Sequence, residues 1–398
     1  DYATRTIKTP DADGTTRPHI NPRLLAMERQ IERGTIYDRN NKILATSRPH
    51  QLKEVAPNSE IATHLIATRS RYYPYGSACV HLVGYLDGNV GGPTGIEKMY
   101  DAELKGFSKY TDLLSDYRRQ NLPGYHRRYG KDLVLTLDAE LQRATQANLA
   151  EIAAKQKDRV TGNPKDRAAF VMIEPTSGDT IVSVTLPSYD PNGLTSEQMR
   201  AYSSAEEERE SARLINRALG GLYPPGSTFK VATTAAALDT KPDLLNLLVP
   251  CNQVDERIEW RERGKRYVRR NTHDDKGDPS FGMIPLPTAF RVSSNIYFAN
   301  LATKVATEAF RNTLKDKMHF RSVPDTNAFD SDLPDIGYGQ GRMQVTPTEM
   351  ARLTGAVANH GQMMEARTLL RIVDPALEPS NAQEPTLPLG SAMSAETS

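Results

Sequence analysis

Cysteine, tryptophan and metal-binding patterns are scarce in this chain of 398 residues. Its two cysteines, Cys79 and Cys251, lie far apart, so they predict neither a disulfide framework nor a paired metal site. The eight histidines are scattered and none belongs to a His-Glu-x-x-His helix. The sequence therefore argues against a disulfide-stapled domain and against a metalloenzyme, and it predicts no cofactor.

Excess charge and long apolar runs are also lacking. The formal net charge is +1, so a nucleic-acid partner has no electrostatic basis. Basic clusters at Arg118-Arg119, Arg127-Arg128 and Arg261 to Arg270 are interpreted as solvated surface, with a partner or polymer contact as the alternative. No apolar run approaches the roughly eighteen residues of a membrane span, and Asp1 to Arg5 is no signal peptide. We expect the chain as given to be soluble, which leaves room for an anchor upstream of Asp1.

The composition that is present describes a globular protein. Hydrophobic residues make up 38% and charged residues 25% of a chain long enough for two or more domains. Turn signals cluster before residue 165, where we place a boundary between a domain of residues 1–165 and one of residues 166–398. Hairpins, helices and loops alternate beyond that boundary. The predicted fold class is therefore α+β.

Several local elements are readable from hydrophobic patterning and capping residues. Arg33 to Ala45 predicts two short strands joined by a turn, and Ala168 to Leu186 predicts a hairpin. Tyr100 to Gly106 predicts a short helix that stops at the glycine. Asp132 to Leu137 predicts a strand, and Asp138 is a good N-cap for the following helix. That helix has an apolar face, whose predicted members are Leu141, Ala144, Leu149 and Ile152.

Nucleophilic chemistry is indicated at Tyr223 to Lys230, where prolines and a glycine precede an alanine-rich helix. Ser227 should lie at the helix N-terminus, with Lys230 one turn later on the same face. A serine hydroxyl needs a neighbouring base, and lysine is such a base only when burial and the helix dipole lower its pKa. The Ser227 N–H would then face a developing oxyanion. The alternative is that Ser227 is a simple N-cap.

A second polar pair follows at Ser293 and Asn295, which flank one residue. A loop could direct both side chains into one cleft, where the hydroxyl passes a proton to a leaving amine. The amide could hold a substrate backbone and the lysine. The alternative is again a helix N-cap before an apolar segment.

In order along the chain, these motifs resemble those of class B penicillin-binding proteins. Ser227 to Lys230 matches the family's Ser-x-x-Lys motif, and Ser293 with Asn295 matches its Ser-x-Asn motif. Further blocks similar to the family are Arg33 to Ala45, Thr94 to Glu97, Asn216 to Ala218, Ile336 to Gly341, Val345 to Ala351 and Asn359 to Gly361. The resemblance extends from about residue 21 to the end of the chain.

The resemblance implies a fold and an activity. Residues 1–165 would form an elongated, non-catalytic, dimerisation-like pedestal, and residues 166–398 a serine β-lactamase-like transpeptidase domain with an antiparallel sheet flanked by helices. The activity would be peptidoglycan D,D-transpeptidation through a serine acyl-enzyme. Its implied catalytic residues are Ser227, Lys230, Ser293 and Asn295, and its implied substrate-binding residues are Gly339, Gln340, Gly341 and Thr346.

The implied partners are peptidoglycan stem peptides ending in D-Ala-D-Ala, β-lactams and a membrane glycosyltransferase. The implied location is the extracytoplasmic face of the bacterial cell membrane, with an anchor absent from this chain. Two alternatives remain open, namely a serine β-lactamase-like hydrolase and a non-catalytic scaffold of the wall-synthesis complex. The pedestal blocks argue against the hydrolase, which needs no additional domain.

One family motif is missing. No Lys-Thr-Gly, Lys-Ser-Gly or His-Thr-Gly occurs in the sequence. In the family this motif lies on a central strand, holds the substrate carboxylate and leads to the second oxyanion donor. Ser391 to Thr397 resembles the start of the helix before it. We therefore expect a chain that ends before its C-terminal strands, with little or no transpeptidase activity as given.

Overall fold

A computed structural model describes the fold of most of the chain. The described residues are 7–10, 16–19, 24, 27–28, 31–86, 93–120, 129–157, 162, 165–251, 257–262, 265–270, 281–375 and 383–398. Two sequence features lie outside these residues, namely the turn signals at Asn163 and Pro164, just before the predicted boundary, and the basic pair Arg127-Arg128. Contacts divide the chain into a first unit of residues 1–170, 181–216 and 367–385 and a second unit of residues 171–180, 217–366 and 386–398. The predicted boundary at residue 165 between a pedestal and a catalytic domain stays a prediction.

The described chain contains both short strands and helices, and most of its strand pairs are antiparallel, as in an α+β fold. The strands are β1 Ile7–Pro10, β2 Thr16–His19, β3 Ile36–Tyr37, β4 Ile43–Ala45, β5 Asp132–Leu135, β6 Ala168–Ile173, β7 Thr180–Leu186, β8 Val249–Pro250, β9 Arg257–Glu262, β10 Lys265–Arg270, β11 Met283–Ile284, β12 Gln362–Met364, β13 Leu369–Val373 and β14 Pro388–Ser391. The first helices are α1 Pro49–Val55, α2 Ser59–Thr68, α3 Val80–Val83, α4 Gly95–Met99, α5 Asp101–Lys105, α6 Tyr110–Arg119, α7 Ala139–Lys155, α8 Ser196–Tyr202 and α9 Ala205–Glu210. The later helices are α10 Arg217–Gly220, α11 Lys230–Thr240, α12 Leu286–Arg291, α13 Asn295–Lys304, α14 Thr307–Asn312, α15 Thr326–Ser331, α16 Leu333–Gly337 and α17 Pro347–Ala358.

The first unit contains a four-stranded sheet with the order β13-β5-β3-β4. Strands β3 and β4 pair antiparallel, so the predicted strand-turn-strand at Arg33 to Ala45 is confirmed. Strand β5 lies parallel to β3 and antiparallel to β13, and all four of its residues are buried. Helix α5 ends at Gly106 in the left-handed conformation, as the sequence predicts.

Helix α7 begins as predicted but its buried face differs. The Asp138 side chain accepts a hydrogen bond from the Leu141 N–H at 2.9 Å, which confirms the N-cap. The predicted apolar face is wrong at Leu141 and Ile152, which are exposed at 39% and 57%, whereas its member Leu149 packs against a buried apolar cluster. Gln142 is buried instead, and its amide donates to the carbonyls of Ala78 and Ser183. A polar side chain with satisfied hydrogen bonds thus replaces the expected apolar contact.

The second unit is built around helices α11 and α13. Small residues of α11 are buried in one apolar cluster with Ile296 to Ala299 and Leu301 of α13. Alanine lets the backbones of neighbouring helices approach closely, which explains the alanine-rich run after Lys230. Strands β8 and β11, β9 and β10, and β12 and β14 form two-stranded sheets. Residues 394–398 form one hydrogen-bonded turn where the sequence predicts the start of a helix.

The predicted hairpin at Ala168 to Leu186 is also present. Strands β6 and β7 form a two-stranded sheet, and the Gly178 N–H closes its turn on the Glu174 carbonyl at 2.9 Å. The Glu174 carboxylate accepts from the Ser177 N–H and the Thr176 hydroxyl in the same turn. These bonds outweigh the cost of burial and lower the pKa of Glu174.

Candidate active site

Ser227 lies on a 3₁₀ turn, Gly226–Phe229, that leads directly into helix α11. Phe229 is fully buried and anchors the turn, whereas Ser227 is exposed. Lys230 is the first residue of α11 and only 2% of its surface is exposed. The local fold therefore presents a hydroxyl to solvent while it buries the amine one turn later.

The amine of Lys230 is a point of convergence for four oxygen atoms. Its Nζ lies 3.2 Å from Ser227 Oγ, 2.8 Å from Ser293 Oγ and 2.6 Å from the Ser293 carbonyl oxygen. Asn295 Oδ1 is 2.7 Å away. The two hydroxyls are themselves 3.0 Å apart. Ser227, Lys230 and Ser293 thus lie within hydrogen-bonding distance of one another, as the catalytic prediction requires. The roles of these residues stay predictions.

The oxygen contacts of Lys230 are compatible with both protonation states of its amine. The Ser293 carbonyl and Asn295 Oδ1 can only accept, whereas the hydroxyls of Ser227 and Ser293 can donate or accept. A neutral amine has two N–H donors for the two obligate acceptors and one lone pair for a hydroxyl proton. An ammonium ion has a third donor for a hydroxyl oxygen. The same set of contacts therefore suits both protonation states, as a general base requires.

The loop at Ser293 places two side chains of one short motif on Lys230. Ser293 has a positive φ of 55°, and helix α13 starts at Asn295. The N-cap is Ser294, whose hydroxyl accepts from the Tyr297 N–H at 3.3 Å. Ser294, the middle residue of the motif, therefore caps the helix, while the side chains of Ser293 and Asn295 on either side of it contact the Lys230 amine. The N-cap alternative thus applies to Ser294 and not to Ser293 or Asn295.

The glycine-rich segment Ile336 to Gly341 supports the turn that carries Ser227. The Gly226 N–H donates to the Gly339 carbonyl at 2.8 Å. Gly339 has a φ of 83°, and a Cβ atom there would lie 1.9 Å from the Gly226 carbonyl oxygen. Only glycine therefore fits at residue 339. Thr233 of α11 also donates to the Gly337 carbonyl, at 2.8 Å.

The four predicted substrate-binding residues have different surroundings. Gln340 and Gly341 are exposed, whereas Gly339 and Thr346 are buried. Thr346 is the N-cap of α17 and forms a capping box with Glu349. These surroundings indicate a supporting role for Gly339 and Thr346. Contact of any of the four with substrate stays a prediction.

Two aromatic residues of α13 complete the cluster and were not singled out from the sequence. The ring centroid of Phe298 lies 5.4 Å from Lys230 Nζ. The hydroxyl of Tyr297 donates to the Leu247 carbonyl at 2.9 Å. Burial, with a smaller contribution from Cys251, raises the pKa of Tyr297 to about 12, so the hydroxyl keeps its proton at neutral pH. In the sequence, only the short spacing of Tyr297 and Phe298 from Asn295 indicates that they could lie near the site.

The described residues contain neither a metal-binding cluster nor a membrane-spanning helix. No group of three or more His, Cys, Asp or Glu side chains could hold a metal ion in that part of the chain. Among the same residues, no helix is both long and apolar enough to cross a membrane. Cys79 and Cys251 are both buried, unpaired thiols.

Residues 168–398 match a family model described as the penicillin-binding protein transpeptidase domain. Penicillin-binding protein 3 of Bacillus subtilis is 26% identical over an alignment of 378 positions that covers 85% of this chain and 52% of that protein. Peptidoglycan D,D-transpeptidase MrdA of Salmonella typhimurium is 24% identical over 81% of this chain and 57% of its own length. The chain thus spans about half the length of these curated relatives.

The fold also matches that of solved structures. The imipenem acyl-enzyme complex of penicillin-binding protein A from M. tuberculosis superimposes with a TM-score of 0.70 at 22% sequence identity. The match covers 93% of this chain and 80% of that one. At this identity the similarity establishes a common fold.

Proposed function

Because the chain belongs to the penicillin-binding protein transpeptidase family, we propose that it acts as a peptidoglycan D,D-transpeptidase. The observation that carries this proposal is the convergence of Ser227 Oγ, Ser293 Oγ and Asn295 Oδ1 on Lys230 Nζ. The names of the curated relatives support the same activity. The acyl-enzyme in the related solved structure supports a covalent route.

The reaction takes place in two acyl transfers. Ser227 Oγ attacks the carbonyl carbon of the penultimate D-Ala in a stem peptide, and its proton passes to Lys230 Nζ. The peptide C–N bond then breaks, the terminal D-Ala amine receives a proton by way of Ser293, and an ester on Ser227 remains. The amine of a neighbouring stem peptide attacks this ester, which forms the new cross-link and restores the Ser227 hydroxyl. A β-lactam acylates the same oxygen.

Placement of the reacting groups is the task of the remaining residues. Asn295 holds Lys230 and is close enough to bond a substrate amide, and the Ser227 N–H serves the oxyanion. Gln340 and Gly341 are exposed and available to substrate. The chain acts on the extracytoplasmic face of the cell membrane, where stem peptides occur and where a membrane glycosyltransferase supplies new glycan.

The test is covalent labelling of the folded chain by a fluorescent penicillin, with the labelled peptide identified by mass spectrometry. We expect one adduct, on Ser227, and no labelling of Ser227→Ala. The adduct should form slowly, because the sequence lacks the Lys-Thr-Gly motif and with it the second oxyanion donor. Thr228→Ala is the matched control, because Thr228 is the exposed neighbouring hydroxyl and bonds only locally, to the Pro225 carbonyl. Label retained by Ser227→Ala would contradict the assignment. A folded chain that takes no label even after prolonged incubation would favour the scaffold, and rapid release of the label would favour a hydrolase.

A further inference from the structure

The ring of Phe298 forms one wall of the Lys230 site. Phe298 is fully buried, and its ring centroid lies 5.4 Å from Lys230 Nζ. Asn295 and Phe298 are three residues apart on helix α13, so both lie on the side of the helix that meets the amine. The amine therefore has oxygen atoms on one side and an aromatic ring on another.

Two other aromatic residues fix the orientation of this ring. The Phe290 ring meets it edge-on, with centroids 5.6 Å apart and an interplanar angle of 76°. The Tyr297 ring lies 5.7 Å away at 65°. The Phe298 ring therefore has aromatic packing partners other than Lys230.

An aromatic ring distinguishes the two protonation states of an amine. The face of the ring carries negative partial charge and attracts a cation within about 6 Å. The attraction is larger for desolvated pairs, and Lys230 is 2% exposed. The oxygen contacts of Lys230 suit either protonation state, whereas the ring favours the ammonium ion over the neutral amine. Preference for the ammonium ion lowers the activation barrier only if the ammonium ion forms during the reaction.

We propose that Phe298 is a positioning residue whose ring stabilises the ammonium form of Lys230, the form produced when Ser227 gives up its proton. The catalytic half of this proposal rests on the proposed function, because only acyl transfer places that proton on Lys230. The ring contacts no substrate and acts only through the amine.

Stepwise fluorination of the ring tests the electrostatic part. Fluorine withdraws charge from the ring face and hardly alters its shape, so a merely structural role predicts no trend. With mono-, di- and trifluorophenylalanine at residue 298, we expect the rate of acylation by fluorescent penicillin to fall stepwise. The total decrease should be about 2- to 30-fold, the range of a cation–π contact converted to a rate.

The matched control is the same series at Phe310, which is fully buried and packs edge-on against Phe329 at 5.5 Å. We expect no trend in acylation there. A flat series at residue 298, or equal trends at both positions, would overturn the proposal.

A second measurement needs no catalysis and so separates this proposal from the proposed function. Urea unfolding of Lys230→Met, Phe298→Leu and the double variant, in mildly acidic buffer, forms a double-mutant cycle for the contact. We expect the two substitutions to be non-additive, with the double variant less destabilised than the sum. Additive effects would overturn the proposal even if the chain is acylated. Non-additive effects in a chain that takes no label would refute the function and leave the contact established.

Discussion

Among the described residues, the buried cations Arg33 and Lys230 lie in clusters that are built differently. In the first unit, the fully buried Glu97 carboxylate accepts from Arg33 at 2.8 Å and also from Arg71. Asp101 contacts Arg33 from a more exposed position, at 2.8 Å. Burial alone would lower the pKa of Arg33, but Glu97 and Asp101 outweigh it, so the pKa lies above the ordinary value. In this cluster, carboxylates compensate the buried guanidinium groups.

In the second unit, the oxygen atoms described around Lys230 are neutral instead. Hydroxyls, a carbonyl and an amide surround Lys230, and the hydroxyl of Ser227 reaches solvent. Neutral partners solvate an amine without fixing its proton, whereas a carboxylate partner favours the ammonium ion strongly. The comparison suggests that the first cluster stabilises a fold and that the second allows a proton to move.

Replacement of Lys230 by methionine should give the largest effect on activity. We expect acylation by a fluorescent penicillin to fall about 100- to 10,000-fold, the usual contribution of a general base. The free energy of unfolding should change by no more than about 2 kcal/mol, because relief of the buried amine offsets the acceptors left unpaired. Rapid acylation of the variant, or a variant that fails to fold, would contradict the idea that the Lys230 cluster serves activity while the Glu97 cluster serves stability.

Replacement of Glu97 by glutamine should instead act on stability. The variant keeps the shape of the side chain but leaves Arg33 and Arg71 without their shared buried charge, which typically costs about 3–5 kcal/mol. Denaturant unfolding, followed by circular dichroism, measures the loss.

Asp101→Asn is the matched control for Glu97→Gln, since it removes a half-exposed partner of Arg33. We expect at most about 1 kcal/mol from it, as for other solvated ion pairs. Equal losses in the two variants would mean that burial does not decide the strength of this cluster.

Local sequence patterns predicted the secondary-structure elements, but not all of the tertiary contacts between them. The Ser227–Lys230 contact follows from one helical turn, and the hairpins and the Asp138 cap follow from short patterns. The approach of Ser293 to Lys230 spans 63 residues of sequence, so only the family resemblance could predict it. The pairing of Arg33 with Glu97 is similar, because the family resemblance predicts that the Arg33 to Ala45 block packs against the block near Glu97, whereas the ion pair itself follows from tertiary packing.

The remaining differences arise where tertiary contacts override pattern. Gln142 replaces the expected apolar contacts on α7 because two carbonyls accept from its amide. Phe298 is an ordinary apolar residue of a buried helix until Lys230 is placed next to it. Single-sequence patterning describes periodicity within an element, and it has no information on which side chain of another element lies opposite.

The smallest predicted effects separate a stabilising role from a catalytic role for two neighbouring serines, Ser294 and Ser293. Ser294 caps α13, so Ser294→Ala should cost about 1 kcal/mol of unfolding free energy. Acylation should change little, because its hydroxyl bonds the Tyr297 N–H and the Cys251 thiol, not Lys230. Ser293→Ala should do the reverse, with slower acylation and almost unchanged stability, since its hydroxyl bonds Lys230 and Ser227. Paired urea unfolding and penicillin labelling measure both variants. If both serines affect the same quantity, the loop acts as one structural unit and the division of roles within it is wrong.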